Sequence, residues 1–377
     1  MTPQTTARGF TLIEMLIAAA ITLTITGAVF HLVDSAHGAF QVQPEAADLH
    51  QRLRTAVETL AGNLRMAGAG ASTGLAAGPL MNYVAPVLPY RVADTGSDAA
   101  AGTFFREDTI TLLLVPSALA QTVLRDAGAG ANPLAVAAQD DCLADGRRAL
   151  CGFSTGMRVL LIDPRGSADA LHLTAVEDDA LHLLHDGVLS SPYPAGATVA
   201  QGGMHTYYLA ADDDAGTYRL MHYDGVQTDL PVVDDVVMLE FDYFGDPLPP
   251  LRPDPPAIGA AALFGWPPGE NCVFAVEGER HVPRLPALEG PDLVRLTADM
   301  LTDGPWCPNH LAPGRFDADL LRLRRVRVRL RVQVAAESLR GRSSLFLKPG
   351  TSPGGRRLVP DQEIRFDIAP RNLAPGW

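Results

Sequence analysis

The feature that most constrains this chain is an apolar run near its N-terminus. Residues Phe10 to Val33 are 24 amino acids with one formal charge, that of Glu14. As an α-helix rising ~1.5 Å per residue, the run reaches ~36 Å, which is enough to cross a hydrocarbon core of ~30 Å. The sequence therefore predicts a membrane-spanning helix segment over residues 10–33.

Two general explanations of this run are a secretory signal peptide and a plain membrane anchor. A signal peptide has a positive first region, an uninterrupted apolar core and a small-residue cleavage site after it. Here Glu14 interrupts the start of the core, and no clear Ala-x-Ala site follows. A plain anchor leaves Glu14 unexplained, because a carboxylate at membrane depth costs at least ~2.5–3.5 kcal/mol and usually marks a function.

A third explanation takes the residues around Glu14 together. Residues 8–14 (RGFTLIE) resemble the type III signal of type IV pilins and pseudopilins, in which a short basic leader ends in Gly and is followed by Phe, three further residues and Glu. The resemblance implies that residues 1–9 are a leader peptide. It also implies that a prepilin peptidase cleaves between Gly9 and Phe10 on the cytoplasmic side and methylates the new amino group of Phe10.

The same resemblance implies a role for the acidic residue in the apolar run. The helix holds the subunit in the inner membrane until the subunit enters a helical filament with other minor pilins and the major pilin. Glu14 then faces the amino group of Phe10 on a neighbouring subunit. The physical chemistry agrees, because a carboxylate among apolar helices needs a cationic partner. The alternative is an exposed Glu14 at the membrane edge.

The helix is expected to continue as an amphipathic segment over residues 34–68. Apolar residues recur there at spacings of three or four, and the Gly-rich stretch after residue 67 provides a stop. The members of this apolar stripe are Leu49, Leu53, Val57, Leu60 and Leu64.

Three short segments further resemble the PilW-like minor pilins. They are the helix end LRMAG at 64–68, a Val-rich strand at 236–243, and the sequence PRNL at 370–373 after the final strand. The resemblance implies a structural subunit of a type IV pilus, in its tip or initiation complex. One alternative is a J-type pseudopilin of type II secretion. Another, from a different class, is a pilus-mounted adhesin that binds DNA or a surface.

The remainder of the chain, residues 71–377, is predicted to form a periplasmic β-rich head. The stretch 245–315 has many prolines and few strand signals, so we expect an extended insertion there. The predicted fold class is α+β: a long N-terminal pilin helix, transmembrane and then amphipathic, packed on a mainly antiparallel β-sheet head with long loops. Strands are predicted at Asp108–Val115, Met157–Ile162, Ala170–Val176, Leu181–Leu184, His205–Ala210, Thr217–Tyr223, Asp235–Phe244, Arg322–Val334 and Gln362–Ile368.

Acidic pairs and clustered histidines do not make a catalytic set in this sequence. Adjacent acids such as Asp140 and Asp141 point to opposite faces when they lie in a strand. The acidic run 212–214 fits a hairpin turn better than a calcium site, because it lacks the EF-hand spacing. His182 and His185 can share an ion only if their segment is helical, and no His-Glu-x-x-His motif is present. We therefore expect no enzyme, no cofactor and no metal site.

An arginine-rich strand leaves two interpretations open. Alternate residues of LRLRRVRVRLRVQV place several arginines on one face, and these could form a basic stripe for DNA. They could equally pair with acids on a neighbouring strand, for which Glu240 and Asp242 are candidates. A formal net charge of −13 favours the second interpretation and makes DNA the less favoured partner. The arginines concerned are Arg325, Arg327, Arg329 and Arg331.

The four cysteines are expected to form disulfides in an oxidising compartment. The favoured pairs are Cys142–Cys151, around a short turn, and Cys272–Cys307, across most of the proline-rich stretch. Four cysteines allow three pairings, so the other two stay open. Free buried thiols and a four-thiolate zinc site are further alternatives, although the close cysteine pairs of zinc sites are missing.

Overall fold

The computed structural model gives a defined placement for most of the chain, and the first nine residues lie outside it. The side chains of residues 34–41 and 212 are also outside the description. The described residues are 10–72, 74, 78–90, 105–163, 167–212, 216–224, 229–250, 266–267, 269–278, 280–310, 315–352 and 358–373.

The chain divides into two compact units. The first contains Met1–Gln51 together with Gln333–Gln362, and the second contains Arg52–Val332 together with Glu363–Trp377. One long helix passes from the first unit into the second. Both larger β-sheets described below belong to the second unit, except for Gln362 at the start of the last strand.

Two α-helices are present in the described residues, α1 at Leu12–Met66 and α2 at Asp140–Ala144. The helix α1 continues through Pro44 and carries the predicted amphipathic pattern in its last turns. Ala56, Leu60 and Leu64 are spaced four apart and fully buried, as expected for one face of a helix. Short 3₁₀ helices lie at Leu80–Asn82, Asp299–Leu301, Ala318–Arg322, Glu337–Leu339 and Arg371–Leu373.

Eighteen strands lie within the described residues. The first nine are β1 (Val87–Leu88), β2 (Ile110–Leu114), β3 (Gln121–Val123), β4 (Leu134–Ala135), β5 (Arg158–Ile162), β6 (Ala168–Glu177), β7 (His182–His185), β8 (Thr198–Gln201) and β9 (Gly203–Asp212). The second nine are β10 (Thr217–Tyr223), β11 (Asp229–Gly245), β12 (Phe274–Glu277), β13 (Arg280–Pro283), β14 (Val294–Leu296), β15 (Trp306–Cys307), β16 (Phe316–Asp317), β17 (Leu323–Val332) and β18 (Gln362–Ile368).

The main sheet has the order β1-β2-β9-β10-β11-β17-β18, and β14 also pairs with β11. The pairs β1–β2, β2–β9, β9–β10, β10–β11, β11–β17 and β11–β14 are all antiparallel. Strand β17 alternates buried aliphatic side chains with half-exposed arginines, as the period of two in its sequence predicts. The predicted α+β fold class, a long helix with a mainly antiparallel β-sheet head, is confirmed.

A second sheet, with the order β3-β8-β5-β6-β7-β4, lies in sequence between β2 and β9. Its two edge strands meet just beyond their ends. Leu124 and Val136 form an antiparallel bridge, and the Arg125 amide donates to the Ala135 carbonyl at 2.8 Å. The sheet therefore closes into a small six-stranded barrel. Its interior is a continuous apolar core that includes Leu134, Phe153, Val159, Leu161, Leu171, Leu183, Tyr193 and Val199.

The stretch 245–315 differs from the expected strand-poor insertion. Its described part contains the hairpin β12–β13, the short strand β15, and β14, which joins the main sheet beside the end of β11. These strands are two to four residues long and stand between prolines and glycines. A run this short shows too little alternation to be recognised in sequence.

Candidate processing and assembly site

The start of α1 is built around Thr11 and Glu14. The Glu14 Oε2 atom accepts hydrogen bonds from the Thr11 amide at 2.9 Å and from the Thr11 hydroxyl at 2.8 Å. In return, the Glu14 amide donates to the Thr11 hydroxyl oxygen at 3.4 Å. This is a reciprocal capping box, in which two side chains satisfy backbone donors that a helix start leaves open.

Sequence reasoning singled out Glu14 but missed Thr11. The signal was present, because Thr-x-x-Glu before an apolar run is the capping-box pattern. Phe10 precedes the box and has 89% of its surface exposed. The predicted cleavage partner Gly9 lies outside the described residues.

The first part of α1 has the length and composition of a membrane span. The segment Leu12–Val33 has a mean hydropathy of 2.1, and none of its most apolar window is buried by the protein. Two of its hydroxyls are satisfied within the helix, since that of Thr22 donates to the Ala18 carbonyl at 2.8 Å and that of Thr24 to the Ala20 carbonyl at 3.0 Å. The helix therefore presents apolar groups and few open polar ones, as a lipid environment requires.

The second unit holds the final turns of α1 through polar contacts to the main sheet. The Arg52 guanidinium lies 2.8 Å from a carboxylate oxygen of Asp235, at a bulge in β11. The Asn63 side-chain amide donates to the Tyr207 hydroxyl on β9 at 2.5 Å. These contacts, together with the buried apolar face, fix the end of the helix against β9 and β11.

The C-terminal end of α1 is capped by the segment that follows β18. Gly68 adopts a left-handed backbone with φ of 80°, which is the usual conformation after a helix. The Asn372 side-chain amide lies 3.5 Å from the Met66 carbonyl and 3.4 Å from the Ala67 carbonyl. The Leu373 side chain packs so close to Gly68 that a Cβ at residue 68 would lie 2.9 Å from it. The segment 370–373 thus closes the helix end.

The four cysteines form the two pairs favoured from sequence. Cys142 and Cys151 are joined across the end of α2 and the loop after it, with Cα atoms 5.8 Å apart. Cys272 and Cys307 are joined with Cα atoms 5.2 Å apart, and this bond links the chain before β12 to β15. The four sulfur atoms are therefore engaged in bonds across two irregular segments, where loop closure restricts the unfolded chain most.

The arginines of β17 face carboxylates on the neighbouring strands. Arg329 lies 2.9 Å from Glu240 on β11, and Arg331 lies 3.9 Å from Glu363 on β18. Arg327 makes two hydrogen bonds to Asp367, at 2.7 and 3.0 Å. These contacts agree with the interpretation that the arginines of β17 pair with acids on neighbouring strands.

The second acid proposed from sequence has a different partner. Asp242 is opposite Arg327 in register, but its carboxylate lies 2.6 Å from Arg295 of β14. Arg325 and Arg327 instead stack on Phe244, with guanidinium carbons 4.6 and 4.8 Å from the ring centre. The sequence did not predict Arg295 as the partner, because β14 lies in the proline-rich stretch, where no strand was expected.

The clustered histidines do not converge. His182 and His185 lie on strand β7, and residues three apart in a strand point to opposite faces. His182 lies 3.5 Å from Glu177, and the two ring nitrogens of His185 lie within hydrogen-bond distance of the carbonyls of Asp186 and Asn132. The condition for a shared ion, a helical segment, is therefore not met. The acidic run 212–214 between β9 and β10 lies largely outside the described residues.

A different histidine pair lies on the main sheet. His205 Nδ1 and His222 Nε2 are 2.9 Å apart, and their rings stack at 5.2 Å. The Tyr207 ring stacks on His222 at 4.9 Å. Burial, with the neighbouring His222, lowers the pKa of His205 to about 4. Burial also lowers the pKa of His222, so both rings favour the uncharged form, and two charged rings at this distance would repel.

Three carboxylates approach one another beside β16. Oxygen atoms of Asp303, Asp317 and Asp319 lie within 4.8 Å of one another. Asp317 accepts from the Gly304 amide at 2.7 Å and from the Asp319 amide at 2.9 Å, and Asp319 lies 2.5 Å from Arg322. Burial raises the pKa of Asp317 to about 7. Since both buried carboxylates have protein partners, the cluster anchors the loops around β16.

Comparison with known families finds one match. Residues 5–30 fit the family model described as the prokaryotic N-terminal methylation motif. The match contains Gly9, Phe10, Thr11 and Glu14, and it supports a prepilin of the type IV pilin or pseudopilin type. Together with the apolar helix, it is consistent with a membrane-anchored subunit that a prepilin peptidase processes. No curated protein and no solved structure matches the chain with significance.

Proposed function

We propose that this chain is a structural minor pilin of a type IV pilus, of the PilW-like class, with its head in the periplasm and later on the cell surface. The observation that supports this most is the junction at residues 10–14. The exposed Phe10 is followed directly by a helix start that the Glu14 carboxylate caps, and then by an apolar helix of membrane length. These features lie inside or overlap the methylation-motif match.

The proposed processing step is cleavage between Gly9 and Phe10, followed by N-methylation of Phe10. Mass spectrometry of the membrane-extracted protein tests this step. We expect a mature chain that begins with methylated Phe10 and has a net charge of −14, because Arg8 is lost from a chain with 30 basic and 43 acidic residues. Gly9→Val is expected to block cleavage, since a branched side chain does not fit a site shaped for Gly. Recovery of intact Met1 in cells that express pili would contradict the proposal.

The proposed assembly step uses Glu14 as the partner of a neighbouring Phe10 amino group. Glu14→Ala is expected to leave membrane insertion intact but to reduce entry into filaments, because the neighbour's cation then lacks its counter-charge. Thr24→Ala is a matched control, since Thr24 is a polar residue of the same span whose hydroxyl bonds to carbonyls of its own helix. Equal amounts of wild-type and Glu14→Ala subunit in sheared filaments would contradict the proposed role.

The role we propose is structural and not enzymatic. The buried acids and histidines described above are occupied by contacts within the head. Arginine residues of β17 lie opposite carboxylates, which disfavours the alternative of a DNA-binding adhesin. A J-type pseudopilin of type II secretion is the other alternative. Detection of the subunit in sheared pili, compared with loss of protein secretion after its deletion, distinguishes the two machines.

A further inference from the structure

A basic, partly apolar excursion interrupts the main sheet between β17 and β18. The excursion comprises Gln333–Gln362, of which Gln362 already begins β18, and it belongs to the same compact unit as the helix up to Gln51. That unit therefore contains both the excursion and the membrane-length segment Leu12–Val33. Among the described side chains of α1, Val42 is the first that is partly buried. At ~1.5 Å per residue, it lies only ~14 Å along the helix beyond Val33, the last residue of the span.

The excursion displays two leucines on a folded support. Phe346 is buried with 5% exposure, whereas its neighbours Leu345 and Leu347 expose 56% and 51% of their surfaces. Asp361 holds this tip from both sides. Its carboxylate accepts from the Leu347 amide at 2.7 Å, and its own amide donates to the Leu345 carbonyl at 3.3 Å. The outward leucines are thus a fixed feature of the backbone and not an accident of side-chain rotation.

Backbone hydrogen bonds tie the base of the tip together as well. The Thr351 amide donates to the Glu337 carbonyl at 3.0 Å, and the Val359 amide donates to the Leu339 carbonyl at 3.0 Å. Leu339 and Val359 are both buried. The two sides of the excursion are therefore joined, and the tip projects from a built loop.

The charge of the excursion is opposite to that of the whole chain. Its sequence has five basic residues, Arg340, Arg342, Lys348, Arg356 and Arg357, against two acids, Glu337 and Asp361, which gives +3. Arg340 is buried beside Glu337, and Arg356 and Arg357 lie outside the described residues, so the structure places Arg342 and Lys348 near the tip. The complete chain has −13, so the rest of the chain carries −16. Arg342 is exposed close to the two leucines, and the chain's single lysine, Lys348, directly follows them.

We propose that the excursion is a membrane-surface contact that binds anionic phospholipid headgroups of the bilayer spanned by α1. Leu345 and Leu347 enter the boundary between headgroups and acyl chains, and Arg342 and Lys348 on either side of them lie against the phosphates. Apolar side chains flanked by Lys and Arg are the usual composition of an interfacial anchor. The proposal rests on the proposed membrane span, and it adds a second attachment that must release when the subunit leaves the membrane.

The test uses the full chain reconstituted into vesicles of phosphatidylglycerol and phosphatidylcholine whose acyl chains carry bromine, which quenches tryptophan emission. Leu345→Trp reports the depth of the tip, measured as the emission added to that of the wild type. Leu119→Trp is the matched control, because Leu119 is also exposed, at 61%, and has no basic residue among its neighbours in sequence. Vesicle flotation checks separately that α1 is inserted.

We expect bromine to quench the added emission of Leu345→Trp about twofold more than that of Leu119→Trp, because bromine quenches only at membrane depth. The difference should fall when Arg342→Glu and Lys348→Glu are added, and in vesicles of phosphatidylcholine alone. A floated protein with equal quenching at both positions overturns this proposal and leaves the membrane span standing. Crosslinking of the tip to a neighbouring subunit, without quenching, assigns the surface to protein and also overturns it. A protein that does not float overturns the membrane span itself.

Discussion

Arg52 and Asp235 form an ion pair 2.8 Å long in which the two side chains expose only 14% and 13% of their surfaces. Asp235 adopts a left-handed backbone, with φ of 55°, at a bulge of β11. This conformation is tolerated by Asp and Asn much better than by most residues. The bulge turns the carboxylate toward the helix, so a local backbone irregularity determines where α1 is attached.

The first prediction tests this attachment. Asp235→Asn preserves the left-handed backbone but removes the charge, and we expect the free energy of unfolding to fall by ~1–3 kcal/mol, because the shielded guanidinium loses the charge of this carboxylate. Glu58→Gln is the control. Glu58 and Arg54 are 3.6 Å apart with both side chains 73% exposed, so its removal should cost under ~0.5 kcal/mol. Denaturant unfolding of the detergent-solubilised protein measures both, and equal losses would contradict the assigned role.

The second prediction concerns the turn after α1. A Cβ on Gly70 would lie 1.8 Å from the Gly78 carbonyl oxygen, which is backbone and cannot rotate away. Gly70→Ala should therefore lower the unfolding free energy by about 3 kcal/mol. Gly62→Ala, in the preceding helix, meets nothing within 4 Å and should raise it by ~0.5–1 kcal/mol through the restricted unfolded chain. Thermal unfolding checks this: the melting temperature should fall for Gly70→Ala and rise for Gly62→Ala, relative to the wild type.

The third prediction is a pH dependence from the histidine pair. The pKa of His205 is lowered to about 4 in the fold, so between pH 4 and an unfolded value of ~6.5 the unfolded state binds more protons. The contribution of His205 to stability is therefore complete above pH ~6.5 and is lost progressively as the pH falls toward 4.

The matching experiment compares His205→Gln with the wild type from pH 4 to 8. The variant should be less stable near neutral pH, and the difference between the two proteins should shrink on acidification. The comparison with the wild type is needed because Asp317, whose pKa is raised to about 7, changes stability in the opposite direction over the same range. A difference that stays constant across the range would contradict the prediction.

The fourth prediction concerns the two disulfides. The Cys272–Cys307 bond joins residues 35 apart in sequence, and loss of both cysteines as serines should lower the unfolding free energy by ~3–4 kcal/mol. The same change at Cys142 and Cys151, with a separation of 9, should cost less, ~2–3 kcal/mol. Non-reducing peptide mapping of protein from the periplasm checks the pairing. A crosslink between Cys142 and either Cys272 or Cys307, or four alkylatable thiols, would show it to be wrong.

Local patterns in the sequence were enough to predict the long elements of this fold. The apolar run predicted the start of α1, and the alternation in Leu323–Val332 predicted a strand with one arginine face. The closed barrel was not foreseen, because its strands β3, β4 and β8 are two to four residues long and its closure depends on a bridge between Leu124 and Val136. Contacts distant in sequence, such as Asn372 with the end of α1, have no local signal.

The last prediction separates structural pairing from DNA binding on the arginine face of β17. Arg327 makes two hydrogen bonds to Asp367, and the pair holds the pKa of Asp367 below its usual range. Arg327→Gln should lower the unfolding free energy by ~1 kcal/mol, since cross-strand charge pairs contribute this order. Arg295→Gln is the control, because Arg295 is 64% exposed and its loss should be near ~0–0.5 kcal/mol. In gel shifts of the full chain at several salt concentrations, we expect neither substitution to change DNA retention. Retention by the wild type that weakens with salt and is lost in Arg327→Gln would contradict the pairing role and favour the DNA-binding alternative.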